Sequence, residues 1–193
     1  MANNTILRDI SSAFKLQIYE NLSELKHSDG SSYITSQDSI SLKSPGEDLT
    51  GVQLSLFLYK LSENTYLRNS AAQGVQVDMI RKAPLTVDLH YLITPNISDK
   101  YDELMVIERI MQSLFETPAL DKLYFTASLK NTGNDDIKIQ HNELSLDELN
   151  KLWSIFPNTQ YKLSLSYIVS PVRIPLTPEP IRRVEEYIIG RPL

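Results

Sequence analysis

The chain has 193 residues and a formal net charge of −5, from 19 Lys and Arg against 24 Asp and Glu. An apolar share of 41% is enough for one packed domain or two small ones, and the absence of cysteine excludes a disulfide framework, a thiolate metal site and a cysteine nucleophile. The acidic balance argues against a nucleic-acid partner; no leader pattern opens the chain and no stretch reaches the roughly eighteen apolar residues of a membrane span, so no membrane partner and a soluble, cytoplasmically assembled protein are expected.

In chain order, Ile6, Ile10, Phe14, Ile18, Leu22 and Leu25 recur at steps of three or four and predict a helix. Thr5 or Asn4 is placed to cap it, and His27-Ser28-Asp29-Gly30 to stop it. From Ser31 to Thr50 the chain is polar, with weak alternation at Tyr33-Ile34 and Ile40–Leu42, and reads as an irregular loop holding one or two short edge strands. Period-two alternation predicts strands over 52–59, 85–93 and 161–169. A fourth is expected at 137–141, and 124–129 is compatible with strand or loop. Residues 61–84 form a connection long enough to suggest a functional arm or a loose loop.

Two further helices separate these strands. Leu104, Ile107, Met111 and Leu114, with Ile110 and Phe115 beside them, suggest an apolar stripe over 98–116, with Asp99, Asp102 and Glu103 at its positive end. Ser145-Leu146-Asp147-Glu148 is a capping box opening a short helix that carries Leu149, Leu152, Trp153 and Phe156. After Pro171 the chain is proline-spaced: Val172-Arg173-Ile174 reads as extended, and a last helix is expected from Pro178 through Ile189. Strands running directly into strands, with helices between later ones, predict an α+β fold with a mixed, mainly antiparallel sheet and helices packed on it. The expected core is Ile10, Phe14, Ile18, Leu54, Leu56, Val87, Leu89, Ile107, Met111, Leu152, Trp153 and Leu165, with Trp153 lying on the sheet.

The chemistry-bearing residues are sparse. His27, His90 and His141 make no pair at metal-ligand spacing, so no metal is expected. Asp88 and His90 share a strand face, which fits half of an acid–base pair or the polar face of a half-buried strand. Six single glycines form no phosphate cradle, no Gly-x-Ser-x-Gly elbow occurs, and no cofactor is expected. Asp135-Asp136 after Asn131–Asn134 reads as a turn, lacking the alternating ligands of a calcium loop. Tyr59, Tyr66, Arg68 and Asn69, around and within the long connection, and the pair Arg182-Arg183 near the end are the candidate partner-binding residues. No catalytic set is named.

Several blocks together carry a resemblance. Leu58-Tyr59-Lys60 with Asn64 and Tyr66–Asn69, Pro84–Ile93 (including Val87-Asp88-Leu89-His90-Tyr91-Leu92), Leu144–Phe156 and Tyr161–Tyr167 follow one another in family order. Over roughly residues 5 to 175 the chain resembles the tail-terminator (cap) proteins of phage-tail-like contractile injection systems, of the Photorhabdus virulence cassette and antifeeding-prophage type. The resemblance implies a tail-terminator-like α+β domain over 1–175 and a proline-rich C-terminal tail over 176–193. It implies a non-catalytic hexameric ring that closes the end of inner tube and sheath, halts their polymerisation and fixes particle length. Its partners would be further copies of itself and the sheath and inner-tube proteins, in a bacterial particle either retained or released. Another tail adaptor, such as a tube initiator or baseplate-side protein, and a small enzyme or ligand-binding domain using Asp88 and His90 are the alternatives.

Overall fold

The first apolar stripe folds into helix α1 (Ile6–Ser23), with Ile6, Ile10, Phe14, Ile18 and Leu22 all buried. Thr5 stands at its N-cap, yet the Thr5 hydroxyl donates to Asp9 Oδ2 at 2.9 Å and caps no backbone amide. The structure is a computed structural model that describes residues 5–67, 73–76, 79–81, 83–130, 132–157, 159–176 and 179–180. Beyond α1 the elements are β1 (Ile40–Ser41), β2 (Leu54–Glu63), β3 (Gln73–Gln76), β4 (Met79–Arg81), β5 (Leu85–Pro95), α2 (Lys100–Glu116), β6 (Lys138–His141), α3 (Leu146–Trp153), β7 (Leu165–Ile174) and β8 (Glu179–Pro180).

Five strands form one sheet in the order β1-β2-β5-β7-β6, and β3-β4-β8 form a second, small one. Only β1 and β2 run parallel in the large sheet; the other neighbours are antiparallel. The fold is α+β with a mixed sheet, as the element order predicts. In β5 the alternation is less informative than it looks, because Leu89, Tyr91 and Ile93 are buried on one face while His90 and Leu92 are buried on the other. As the central strand, β5 is covered from both sides.

The main core lies between the sheet and the helices α1 and α2, and it takes in Leu54, Leu56, Leu89, Tyr91, Tyr167 and Val169 from the strands. Tyr91 is fully buried there, its ring 5.2 Å edge-on from Phe14 and its hydroxyl 2.7 Å from Ser11 Oγ. Burial pushes the Tyr91 phenol up to about 12, against the smaller opposing pull of the Ser11 bond. A second cluster, Leu92, Trp153 and Phe156 with Phe57, Tyr59 and Leu152 against it, lies under α3. Trp153 is 7% exposed and belongs to this cluster, as expected, whereas Leu152 is only half-buried. Gly46 fits beside the cluster because a Cβ there would come 3.2 Å from Phe156 Cβ.

Four sequence expectations are corrected. The buried face of α2 is Glu103, Val106, Ile107, Ile110, Ser113 and Leu114, so the expected stripe is rotated; Leu104, Met111 and Phe115 face outward, and Met111 at 44% exposed is not core. The connection 61–84 is not a loop throughout: β2 runs on to Glu63, and β3 and β4 pair antiparallel within it. The last long strand begins at Leu165 rather than Tyr161 and continues through Pro171 to Ile174. Beyond the Ile93–Leu165 pair, the next β5 residues are Thr94 and Pro95; Pro95 has no N–H to give the ladder, and the Asn96 amide donates to Gln53 O on the β2 side. The pairing shifts between Val87 and Leu89, opposite Val172 and Val169, so Ser170 and Pro171 fall in a bulge where a missing donor costs no ladder bond. Finally, Glu179–Pro180, at the start of the expected last helix, pair with β4 as a strand; Pro178 and residues from 181 on lie outside the described residues.

Other details match. The Ser145–Glu148 capping box forms in full, with Ser145 Oγ accepting from the Glu148 amide and Glu148 Oε2 accepting from the Ser145 amide. Asp99 caps α2 by accepting from the amides of Tyr101 and Asp102. Residues 124–129, open between strand and loop, form turns after a short 3-10 stretch, Lys122–Tyr124. Buried Gln17 on α1 holds this region by donating to Ala119 O and accepting from the Asp121 amide.

Candidate interaction surfaces

On the face of the sheet turned away from α1 and α2, a row of polar side chains continues the cluster under α3. Tyr59 sits at the register shift between Leu58 and Lys60 of β2, its ring 5.9 Å from that of His90. The Tyr59 hydroxyl lies 3.0 Å from Ser166 Oγ and accepts from Asn142 Nδ2 at 3.1 Å. Farther along, Asp88 Oδ1 accepts from Asn64 Nδ2 at 2.9 Å and from the Ser170 hydroxyl. His90 Nε2 pairs with Ser62 Oγ at 3.0 Å. These bonds tie β2, β5, β7 and the turn after β2 together.

The arrangement answers the question left by Asp88 and His90. A nucleophile–base–orienter relay needs the carboxylate on the second ring nitrogen of the histidine. Here Asp88 is engaged with Asn64 and Ser170, and among the described residues nothing bonds the other nitrogen of His90. His90 is 9% exposed, and burial, with the nearby Lys60 charge, pulls its pKa below the ordinary histidine value against the weaker opposite effect of Asp88. It is a ring packed in a sheet and bonded to Ser62. A shallow cleft of about 150 Å³ opens nearby, lined by His141, Asn142, Glu143, Leu144, Leu149, Ser164 and Ser166. That is below the several hundred Å³ typical of small-molecule sites, and it has room for a few waters.

Of the predicted partner-binding residues, Tyr59 and Tyr66 are among the described residues. Tyr59 is half-buried with its hydroxyl committed internally, while Tyr66, in the turn after β2, is 96% exposed. Arg68, Asn69, Arg182 and Arg183 lie outside the described residues. Asp136 holds Arg173 through both carboxylate oxygens, and Asp135 lies 3.3 Å from Lys122 Nζ, so both acids of the expected turn face cations.

The surface that sequence reasoning missed is the outer face of α2. Tyr101 and Phe115 are 82% and 87% exposed, and Leu104, Met105 and Met111 are about half exposed. The available signal was the presence of apolar residues on both sides of the helix, more than one buried face requires. Among the described residues no helix is long and apolar enough to cross a membrane.

Fold and surface together define a class: an α+β domain with helices on both faces of a mixed sheet, polar bonds tying the strands of one face, and an apolar stripe on the outer side of α2. The chain belongs to the Pvc16 N-terminal domain family, whose model matches residues 9–186. No curated protein matches it significantly. Among solved structures it is similar to the sheath/tube terminator of an extracellular contractile injection system, PVC, in the extended state, with a TM-score of 0.62 and 17% identity. It is also similar to the tube-terminating cap of the anti-feeding prophage, with a TM-score of 0.55 and 18% identity. The likeness covers 98% and 93% of this chain but only 65% and 60% of those two, so the chain spans less than two thirds of their length.

Proposed function

We propose that this chain is the terminating cap of a contractile injection system: a ring of identical subunits seated on the last layer of inner tube and sheath, where it stops polymerisation and so fixes particle length. The observation that carries the reading is the match of nearly the whole chain both to the Pvc16 N-terminal domain and to the fold of two terminators. A cap works by shape. It needs one face complementary to the polymer end, none that repeats it, and a head-to-tail contact that closes on itself by rotation.

In this reading residues 1–175 are the body of the cap. Residues 176–193 are an arm, and the pairing of Glu179–Pro180 with β4 starts it beside the small sheet. Tyr66, with Arg68 and Asn69 after it and Arg182-Arg183 on the arm, meets neighbouring subunits, while Tyr59 supports that rim from within. Assembly takes place in the bacterial cytoplasm, and the role asks for no bond-making chemistry.

The test is to delete the gene and image the particles, then restore it with an electron-dense label. Tubes and sheaths of uncontrolled length without the protein, and label at one end only with it, are expected. Uniform particles in the deletion, or label along the sheath, refute the cap; label at the baseplate end identifies a different tail adaptor.

A further inference from the structure

At 3.6 residues per turn, Tyr101, Leu104, Met105, Glu108, Met111, Gln112 and Phe115 fall on one side of α2, opposite the face that packs on the core. Five of these seven are apolar, and two are aromatic rings more than four-fifths exposed. From those exposures the stripe displays on the order of 500 Å² of apolar surface, as large as the largest patch on an ordinary monomer and more than half of the roughly 800 Å² that each partner gives to a stable interface. A centre of methionine and aromatic groups with few charges is the composition of a permanent contact between copies of one chain, not of a transient polar encounter.

One charge interrupts the stripe, at its middle. Glu108 is exposed, and its partner among the described residues is the Gln112 side-chain amide, which donates at 3.1 Å. Any two-fold pairing centred on the stripe, with the helices parallel or antiparallel, brings the two Glu108 carboxylates against each other as apolar surface closes over them, which is costly. The stripe therefore selects against itself and in favour of a different patch that offers a cation or donor at that point.

We propose that the outward face of α2 is one half of a head-to-tail seam between copies of this chain, with Tyr101, Leu104, Met111 and Phe115 as its apolar anchors and Glu108 as the residue that forbids a two-fold dimer. The proposal rests on the ring reading of the cap and names the surface that closes the ring.

The purified full chain, Phe115→Asp and Leu104→Asp are compared by light scattering across a concentration series, with circular dichroism as the folding control. Both side chains are outside the core, so the variants keep the wild-type spectrum. The wild type is expected to be a higher oligomer, with each variant raising its apparent dissociation constant ~100-fold, the effect of losing an interface anchor. Because the chain has no cysteine, the double variant Met105→Cys/Met111→Cys, which keeps Glu108, reports symmetry directly: oxidation is expected to give no disulfide-linked dimer. A monomeric wild type, an aspartate variant that assembles like wild type, or a disulfide-linked dimer of the double cysteine variant each overturns the seam. Loss of the seam with labelled wild type still at particle ends leaves the cap reading standing; wild type absent from the ends removes the cap reading whatever the oligomer.

Discussion

The single tryptophan offers the sharpest test of how α3 is held to the sheet. Trp153 is buried between Phe156, with ring centroids 5.6 Å apart, and Tyr161, at 5.3 Å, and it forms one cluster with Leu92 of β5. Its indole N–H is also buried and has no hydrogen-bond acceptor among the described residues. Truncation to alanine removes packing worth about 3–5 kcal/mol. It also removes a donor whose unpaired burial already costs the native protein about 1–3 kcal/mol. The net expectation for Trp153→Ala is a loss of about 2 kcal/mol, or about 4–8 °C in Tm at this chain length. Trp153→Phe keeps most of the ring area and discards the unpaired donor, so its Tm should stay within about 2 °C of wild type. Differential scanning calorimetry of the three proteins measures both. A phenylalanine variant as damaged as the alanine variant would show that the N–H is bonded after all; an undamaged alanine variant would show that the cluster carries no load.

Tyr91→Phe and Ser11→Ala should each cost about 1 kcal/mol by chemical denaturation, and the double variant less than their sum, because one buried bond joins the two hydroxyls. Ser145→Ala should cost about 1 kcal/mol, seen as lost helicity and a lower denaturation midpoint, since it removes half of the capping box. The pH dependence follows from His90, whose pKa is held below the unfolded value of about 6.5. The unfolded chain therefore binds the proton more readily, so stability is full above about pH 6.5 and declines as pH falls toward the folded value. His90→Gln should flatten Tm between about pH 5 and 7 relative to wild type. A second loss follows at lower pH from Asp9. Its burial favours the neutral acid but is outweighed by hydrogen bonds from Ser128, Thr5, Arg8 and Thr126, so its pKa is lowered, and Asp9→Asn should remove part of the acid transition below about pH 4.

Periodicity located every long element because it records burial on one side. The α1 stripe and the alternation of Leu54 and Leu56 read correctly for that reason. It failed where burial is two-sided or exposure is apolar. Helix α2 has Val106 and Ile110 on one side and Leu104, Met111 and Phe115 on the other, and hydropathy alone does not say which side meets the sheet. The short strands β3 and β4 left only the alternation of Val75 and Val77 with glutamines and the pair Met79-Ile80, too brief to outweigh a long polar connection. At β7, Pro171 reads as a terminator unless the bulge that accommodates it is known, and bulges are set by the partner strand. The polar side chains were visible as types, but their pairing was not. Asp88 and His90 share a face, yet Asn64, Ser170 and Ser62 claim them from neighbouring strands and turns.

The division of the apolar interior into two clusters, one on each side of the sheet, makes α3 separable from the rest. Eight residues are too few to stay helical unaided, and this helix is anchored chiefly through Trp153 and Phe156 on Leu92, while α1, α2 and all five strands of the large sheet share the main core on the opposite side. Its amides should therefore exchange with solvent deuterium at a smaller opening free energy than those of β5.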